Sequence, residues 1–211
     1  VKQARILLAD DHKILLEGLK GLLDGQFDVV GTVENGRELI AKSKELCPDV
    51  IVVDISMPSL NGIDAVKQLK EQGLTAKVIF LTMHHDASYA KKAFEVGASG
   101  YLLKHSAPEE LVTAIHEVLQ GRTYVMPMIA EELMQSYKNA GHGKKGGKLT
   151  SRQKEILQLL AEGKSAKEIA SILYVSRRTV EFHKYNMMEI LNISNNAELI
   201  QYAIKEGIVT I

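Results

Sequence analysis

A single cysteine, Cys47, in 211 residues rules out an internal disulfide and makes a reducing compartment, the cytoplasm, the default expectation. No apolar run approaches the ~18 residues that a membrane span needs, and the first residues, Val1-Lys2-Gln3-Ala4-Arg5, carry no signal-peptide pattern. Cysteine is also missing around His84-His85, and no further histidine lies at ligand spacing, so that pair lacks the partners of a zinc site. The glycine- and lysine-rich stretch at 141–148 fits no register of the phosphate-loop pattern Gly-x-x-x-x-Gly-Lys-Ser/Thr and follows no strand. It is read as a tether. Net charge is zero, but two unlike halves make it up. From Lys138 onward 12 Lys/Arg stand against 7 Asp/Glu, and before it 14 stand against 19. An acidic front and a basic back predict two domains with different partners, nucleic acid for the second. A composition 45% hydrophobic and 25% charged is that of ordinary globular protein, and the length suits two small domains.

Residues 4–120 alternate apolar strands with amphipathic helices. Strands are predicted near 5–9, 27–33, 49–54, 77–82 and 100–103, each followed by a helix. Gly97 is placed to close the fourth helix and Pro108 to open the fifth. Five such units predict an α/β doubly wound, five-stranded parallel sheet with right-handed crossovers. The β-branched run Val50-Ile51-Val52-Val53 stops abruptly on Asp54, as expected of a central strand buried on both faces. Asp10-Asp11 ends the first strand, Thr82 the fourth, and Lys104 follows the fifth. Parallel strands share their carboxyl edge, where such sheets bind ligands, so three carboxylates, a hydroxyl and an ammonium should converge there. Two carboxylates ~5 Å apart repel by about 3 kcal/mol at an effective dielectric near 20. A hard divalent cation with oxygen ligands, Mg²⁺, would relieve that. Cys47, just before Pro48, is read as packing.

This constellation resembles the flavodoxin-like receiver domain of bacterial two-component response regulators, carried by Asp10-Asp11, Asp54 with Met57-Pro58 behind it, Thr82, Tyr101 and Lys104. The resemblance implies that Asp54 is the phosphoacceptor for a sensor histidine kinase. It implies that Asp10, Asp11, Asp54 and the Ser56 carbonyl hold Mg²⁺, and that Thr82, Tyr101 and Lys104 form the switch. His105 departs from the family, where proline often follows the lysine. Ser56 and His84 stand where the family sets the lifetime of the phosphate. An aspartyl-phosphate phosphatase of the haloacid dehalogenase type would need Asp-x-Asp at the end of the first strand, and here the pair is adjacent. A regulator switched by protein contact alone would not need this full set of residues.

From Leu149 the pattern is helical throughout. Thr150, Ser165 and Ser176 stand at helix starts, and four helices are expected within 149–211. The third places Val180 and Met187 on a core face and Glu181, Phe182 and Tyr185 on the opposite one. An exposed Phe and Tyr behind Arg177-Arg178 suit a helix lying in a nucleic-acid groove. Leu149-Thr150-Ser151-Arg152, Glu162-Gly163-Lys164-Ser165, Lys167-Glu168-Ile169-Ala170 and residues 176–183 resemble the LuxR-type helix-turn-helix of NarL/FixJ response regulators. Carried over, Arg177, Arg178, Thr179 and Lys184 would touch phosphates, and Glu181, Phe182 and Tyr185 would reach base edges of a two-fold operator in double-stranded DNA. Leu199, Ile200 and Ala203 would form the homodimer helix. Gln153 stands where most relatives carry Glu. The organisation expected is a receiver over 1–121, a linker with a short helix over 122–148, and the helix-turn-helix domain over 149–211. The resemblance implies that the whole would be a DNA-binding transcription factor rather than an enzyme.

Overall fold

A computed structural model describes residues 3–106, 108–139 and 149–209. The chain divides into two compact units, Val1–Gly141 and His142–Ile211. In the first, β1 (Arg5–Ala9), β2 (Asp28–Val33), β3 (Val50–Val53), β4 (Lys77–Thr82), β5 (Gly100–Leu103) and β6 (Tyr124–Val125) form one sheet. Its order is β2-β1-β3-β4-β5-β6, with every pair parallel. The connecting helices are α1 (Lys13–Leu23), α2 (Gly36–Leu46), α3 (Gly62–Glu71), α4 (Ala87–Glu95) and α5 (Pro108–Leu119). Strand β3 is buried along its whole length, as a strand covered by helices on both faces must be. Two apolar clusters flank the sheet. One holds Leu7, Ile51, Val53, Phe80, Tyr101 and Leu103, and the other Ile6, Leu8, Val52, Leu102 and Ile115.

Local chemistry explains the helix starts. Asn35, Asn61 and Asp86 accept backbone N–H bonds at the heads of α2, α3 and α4, each cap worth about 1 kcal/mol. Gly62 opens α3 hard against the end of β3, where a Cβ would lie 2.0 Å from the Asp54 carbonyl oxygen. Cys47 does not pack in the core. It is exposed and caps α2 in the left-handed conformation at φ 46°, its thiol donating to the Lys44 carbonyl oxygen.

The five expected strands are joined by a sixth. Tyr124 and Val125 pair with Gly100 and Tyr101, a ladder too short to leave a periodic signal. Helix α6 (Pro127–Asn139) follows and lies along α4, with Ile129 and Leu133 buried in the same cluster as Tyr101 and Leu103. The first compact unit therefore runs past residue 121, because these apolar side chains need the sheet's flank to cover them. The tether expected at 141–148 lies outside the described residues.

In the second unit, α7 (Ser151–Ala161), α8 (Ala166–Leu173), α9 (Arg177–Leu191) and α10 (Asn196–Lys205) enclose Ile156, Leu157, Ile169, Val180, Met187, Leu199 and Ala203. Capping boxes at Thr150/Gln153 and Ser165/Glu168 satisfy two backbone donors at each helix start. Gln153 thus serves the cap, and the link to α8 is made by Arg152, which pairs with Glu155 and donates to the Leu173 carbonyl.

Candidate functional site

The end of β3 is held in register by the Asp54 N–H, which donates to the Ala9 carbonyl at 2.8 Å. Likewise Asp10 N–H donates to Val33, and Lys104 N–H to Thr82. These backbone bonds carry the side chains of three strand ends to one place. Lys104 Nζ lies 2.6 Å from Asp10 Oδ2 and 2.8 Å from Asp54 Oδ2, and all three side chains are at least nine-tenths buried. Burial alone would lower the Lys104 pKa, but the Asp54 charge and hydrogen bonds to both carboxylates outweigh it and raise the value. Asp54 Oδ1, also buried, has no hydrogen-bond partner. Such an orphan acceptor is uncommon and points to a charged group that the pocket is built to receive.

Asp11 sits exposed at the rim. Between it and Asp10 lies His12, with Nδ1 3.0 Å from Asp10 Oδ1 and 2.8 Å from Asp11 Oδ1. Among the described residues, Asp10, Asp11 and His12 are the cluster whose donor atoms could hold a metal ion. Oxygen donors dominate it, and the set fits a hard dication. Sequence reasoning missed His12. Its signal was its position directly after the acidic pair.

Thr82 is fully buried, and its hydroxyl is engaged only weakly, accepting from the His84 N–H at 3.4 Å. His84, singled out in the sequence together with Ser56, meets that residue here. Its Nε2 contacts Ser56 Oγ at 2.8 Å, its ring stacks on Tyr89 at 3.9 Å, and burial lowers its pKa, with Asp54 opposing. The Tyr101 ring is wholly buried, and its hydroxyl donates to the His84 carbonyl at 2.9 Å. Burial, with smaller contributions from Tyr89 and Asp54, pushes the phenol pKa well up. Thr82 and Tyr101, two of the three switch residues expected from the sequence, thus both meet the His84 backbone.

The second unit carries a separate surface. On α9, Val180 and Met187 are buried, whereas Phe182 and Tyr185 are 60% and 66% exposed. Arg177 and Arg178 are exposed at its start, with Glu181 3.9 Å from Arg177. The Ser176 hydroxyl accepts the Thr179 N–H and bonds the Thr179 hydroxyl. Lys184 is half-buried. On α10, Leu199 and Ala203 present no surface to a partner. They are buried in the unit's own core because their helical spacing turns them onto α7 and its neighbours. Ile200 is half-buried, and Ala197 and Gln201 are exposed beside it.

Residues 6–116 match the response regulator receiver domain, and residues 147–203 match the bacterial regulatory proteins of the luxR family. The chain is a two-component response regulator of the NarL/FixJ family. This regulator is 36% identical to the oxygen regulatory protein NreC of Staphylococcus carnosus, over 96% of its own length and 97% of the relative's. It is 33% identical to the transcriptional regulatory protein DegU of Brevibacillus brevis, over 96% and 94%. Among solved structures it resembles RcsB from Salmonella enterica serovar Typhimurium, bound to a promoter in the presence of the phosphomimetic BeF₃⁻. That match has a TM-score of 0.61 and 27% identity over 95% of this chain and 98% of the other.

Proposed function

We propose that the regulator is switched by phosphotransfer from a sensor histidine kinase to Asp54, and that phosphorylation controls dimerisation and binding to a two-fold operator. The observation that carries this reading is the buried Asp54 carboxylate, with one oxygen bound to Lys104 and the other free. The free oxygen is the nucleophile, and Lys104 holds the other and orients the carboxylate. Asp10, Asp11, Asp54 and the Ser56 carbonyl would hold a divalent cation, Mg²⁺, whose charge would balance that of the transferring phosphoryl group. The added phosphate brings about −1.5 to −2 charges. Lys104 then exchanges one of its carboxylates for a phosphoryl oxygen, and the Thr82 hydroxyl leaves its weak contact for another. Tyr101 is already turned inward, so the response passes to the His84 loop that it grips. The surface of β5, α4 and α6 follows as the two-state element.

The output side is α9. Arg177, Arg178, Thr179 and Lys184 contact phosphates, while Glu181, Phe182 and Tyr185 meet base edges. The exposed side of α10, around Ala197, Ile200 and Gln201, supplies the dimer contact that Leu199 and Ala203 cannot make. On this reading the receiver unit includes α6, the helix-turn-helix unit begins near Leu149, and the protein works in the cytoplasm. No helix among the described residues is long and apolar enough to cross a membrane. Asp54→Asn tests the reading: acetyl phosphate should raise dimerisation and operator affinity in the wild type and leave the variant unchanged. An equal response in both proteins refutes it.

A further inference from the structure

His12 follows Asp10-Asp11 directly and is the N-cap residue of α1, yet its side chain makes no cap bond. The imidazole turns back toward the carboxylates instead, although the side chain is 68% exposed and free to go elsewhere. Nδ1 lies 3.0 Å from one Asp10 oxygen and 2.8 Å from one Asp11 oxygen. One ring N–H shared between the two oxygens would align poorly with each, and a neutral ring has one N–H to give. Ligand geometry accounts for both: in an octahedron with metal–ligand bonds of about 2.1 Å, neighbouring donors stand about 3.0 Å apart. Donor atoms of Asp10, Asp11 and His12 all lie within 4.8 Å of one another, close enough for one ion to meet all three.

Building on the reading that a divalent cation serves this pocket, we propose that His12 Nδ1 is a ligand to it and shifts the site's preference from Mg²⁺ toward first-row transition dications. Mg²⁺ favours oxygen donors and gives up its waters reluctantly. Imidazole nitrogen suits the transition ions, and affinity at mixed nitrogen–oxygen sites rises along that series. As a ligand the ring carries its proton on Nε2 and directs the Nδ1 lone pair between the two carboxylates. Asp10 and Asp11 would bind either class of ion. His12 discriminates between them, and its exposure lets the ring swing away when Mg²⁺ is bound.

The test uses the full chain, wild type and His12→Ala, titrated with Mn²⁺ by electron paramagnetic resonance and with Mg²⁺ as competitor. Nitrogen modulation in the pulsed spectrum of bound Mn²⁺ is expected in the wild type and should vanish in the variant. Loss of the imidazole should weaken Mn²⁺ by about tenfold and Mg²⁺ by less than about threefold. Bound Mn²⁺ without nitrogen modulation in the wild type, modulation that persists in the variant, or equal weakening of both ions overturns the assignment of His12 alone. Failure of the wild type to bind either ion overturns the cation reading beneath it as well.

Discussion

Replacing Lys104 by methionine tests how the pocket is held together before any phosphate arrives. The ammonium lies within 2.8 Å of an oxygen of each buried carboxylate. Those oxygens are therefore no more than about 5.4 Å apart, and without the ammonium they repel by about 3 kcal/mol at an effective dielectric near 20. Removing one partner from a buried ionic cluster costs about 3–5 kcal/mol, in agreement. The expected loss is about 3 kcal/mol in a chelated buffer, which moves a urea midpoint by roughly 1–3 M. Hydrogen exchange at the β3 and β4 amides reads this for the receiver unit without mixing in the second unit's transition. Millimolar Mg²⁺ should recover much of the loss, because a dication replaces the missing positive charge. So should Asp10→Asn in the Lys104→Met background, as a double-mutant cycle would show. The Lys104 pKa is raised above its ordinary 10.5, so its stabilising contribution is complete below about pH 10.5 and fades as pH climbs through the folded value. A variant as stable as the wild type in chelator, or one destabilised equally with and without Mg²⁺, would refute the reasoning.

Three further outcomes are expected. Phe182→Ala and Tyr185→Ala should leave thermal stability within about 0.5 kcal/mol, because both side chains are mostly exposed, yet each should lower operator affinity in a gel-shift assay. Arg178→Ala should weaken binding to all sequences alike and reduce the slope of log affinity against log salt by about 1. Gly62→Ala should cost at least about 1–3 kcal/mol in chemical denaturation, because its Cβ would meet the Asp54 carbonyl oxygen at 2.0 Å, and should slow Asp54 phosphorylation by acetyl phosphate.

The strand-end residues were legible because a parallel sheet converts sequence position into spatial position. A polar residue at the end of an apolar run must lie on the carboxyl edge, whichever helix follows it. Asp10, Asp54, Thr82 and Lys104 were placed by that rule. His12 was not, and His84 was singled out without its contacts, because what both side chains touch depends on direction within short loops, which no periodicity reports. Strand β6 escaped because two residues carry no alternation. The helix spacing on α9 separated buried Val180 from exposed Phe182 correctly. On α10 the same spacing found an apolar stripe at Leu199 and Ala203 but could not say whether the stripe faced its own core or a second copy.

Strand β6 also bears on how the molecule can be dissected. It covers the outer edge of β5, and α6 closes the adjoining flank with Ile129 and Leu133. A gene fragment stopping at residue 121 would bare a strand edge beside an apolar hollow, the kind of unfinished border that recruits a neighbouring molecule. A fragment carried on to Gly141 keeps its own cover. Self-association of the shorter piece would then report a missing hem, and not the dimer that phosphate induces.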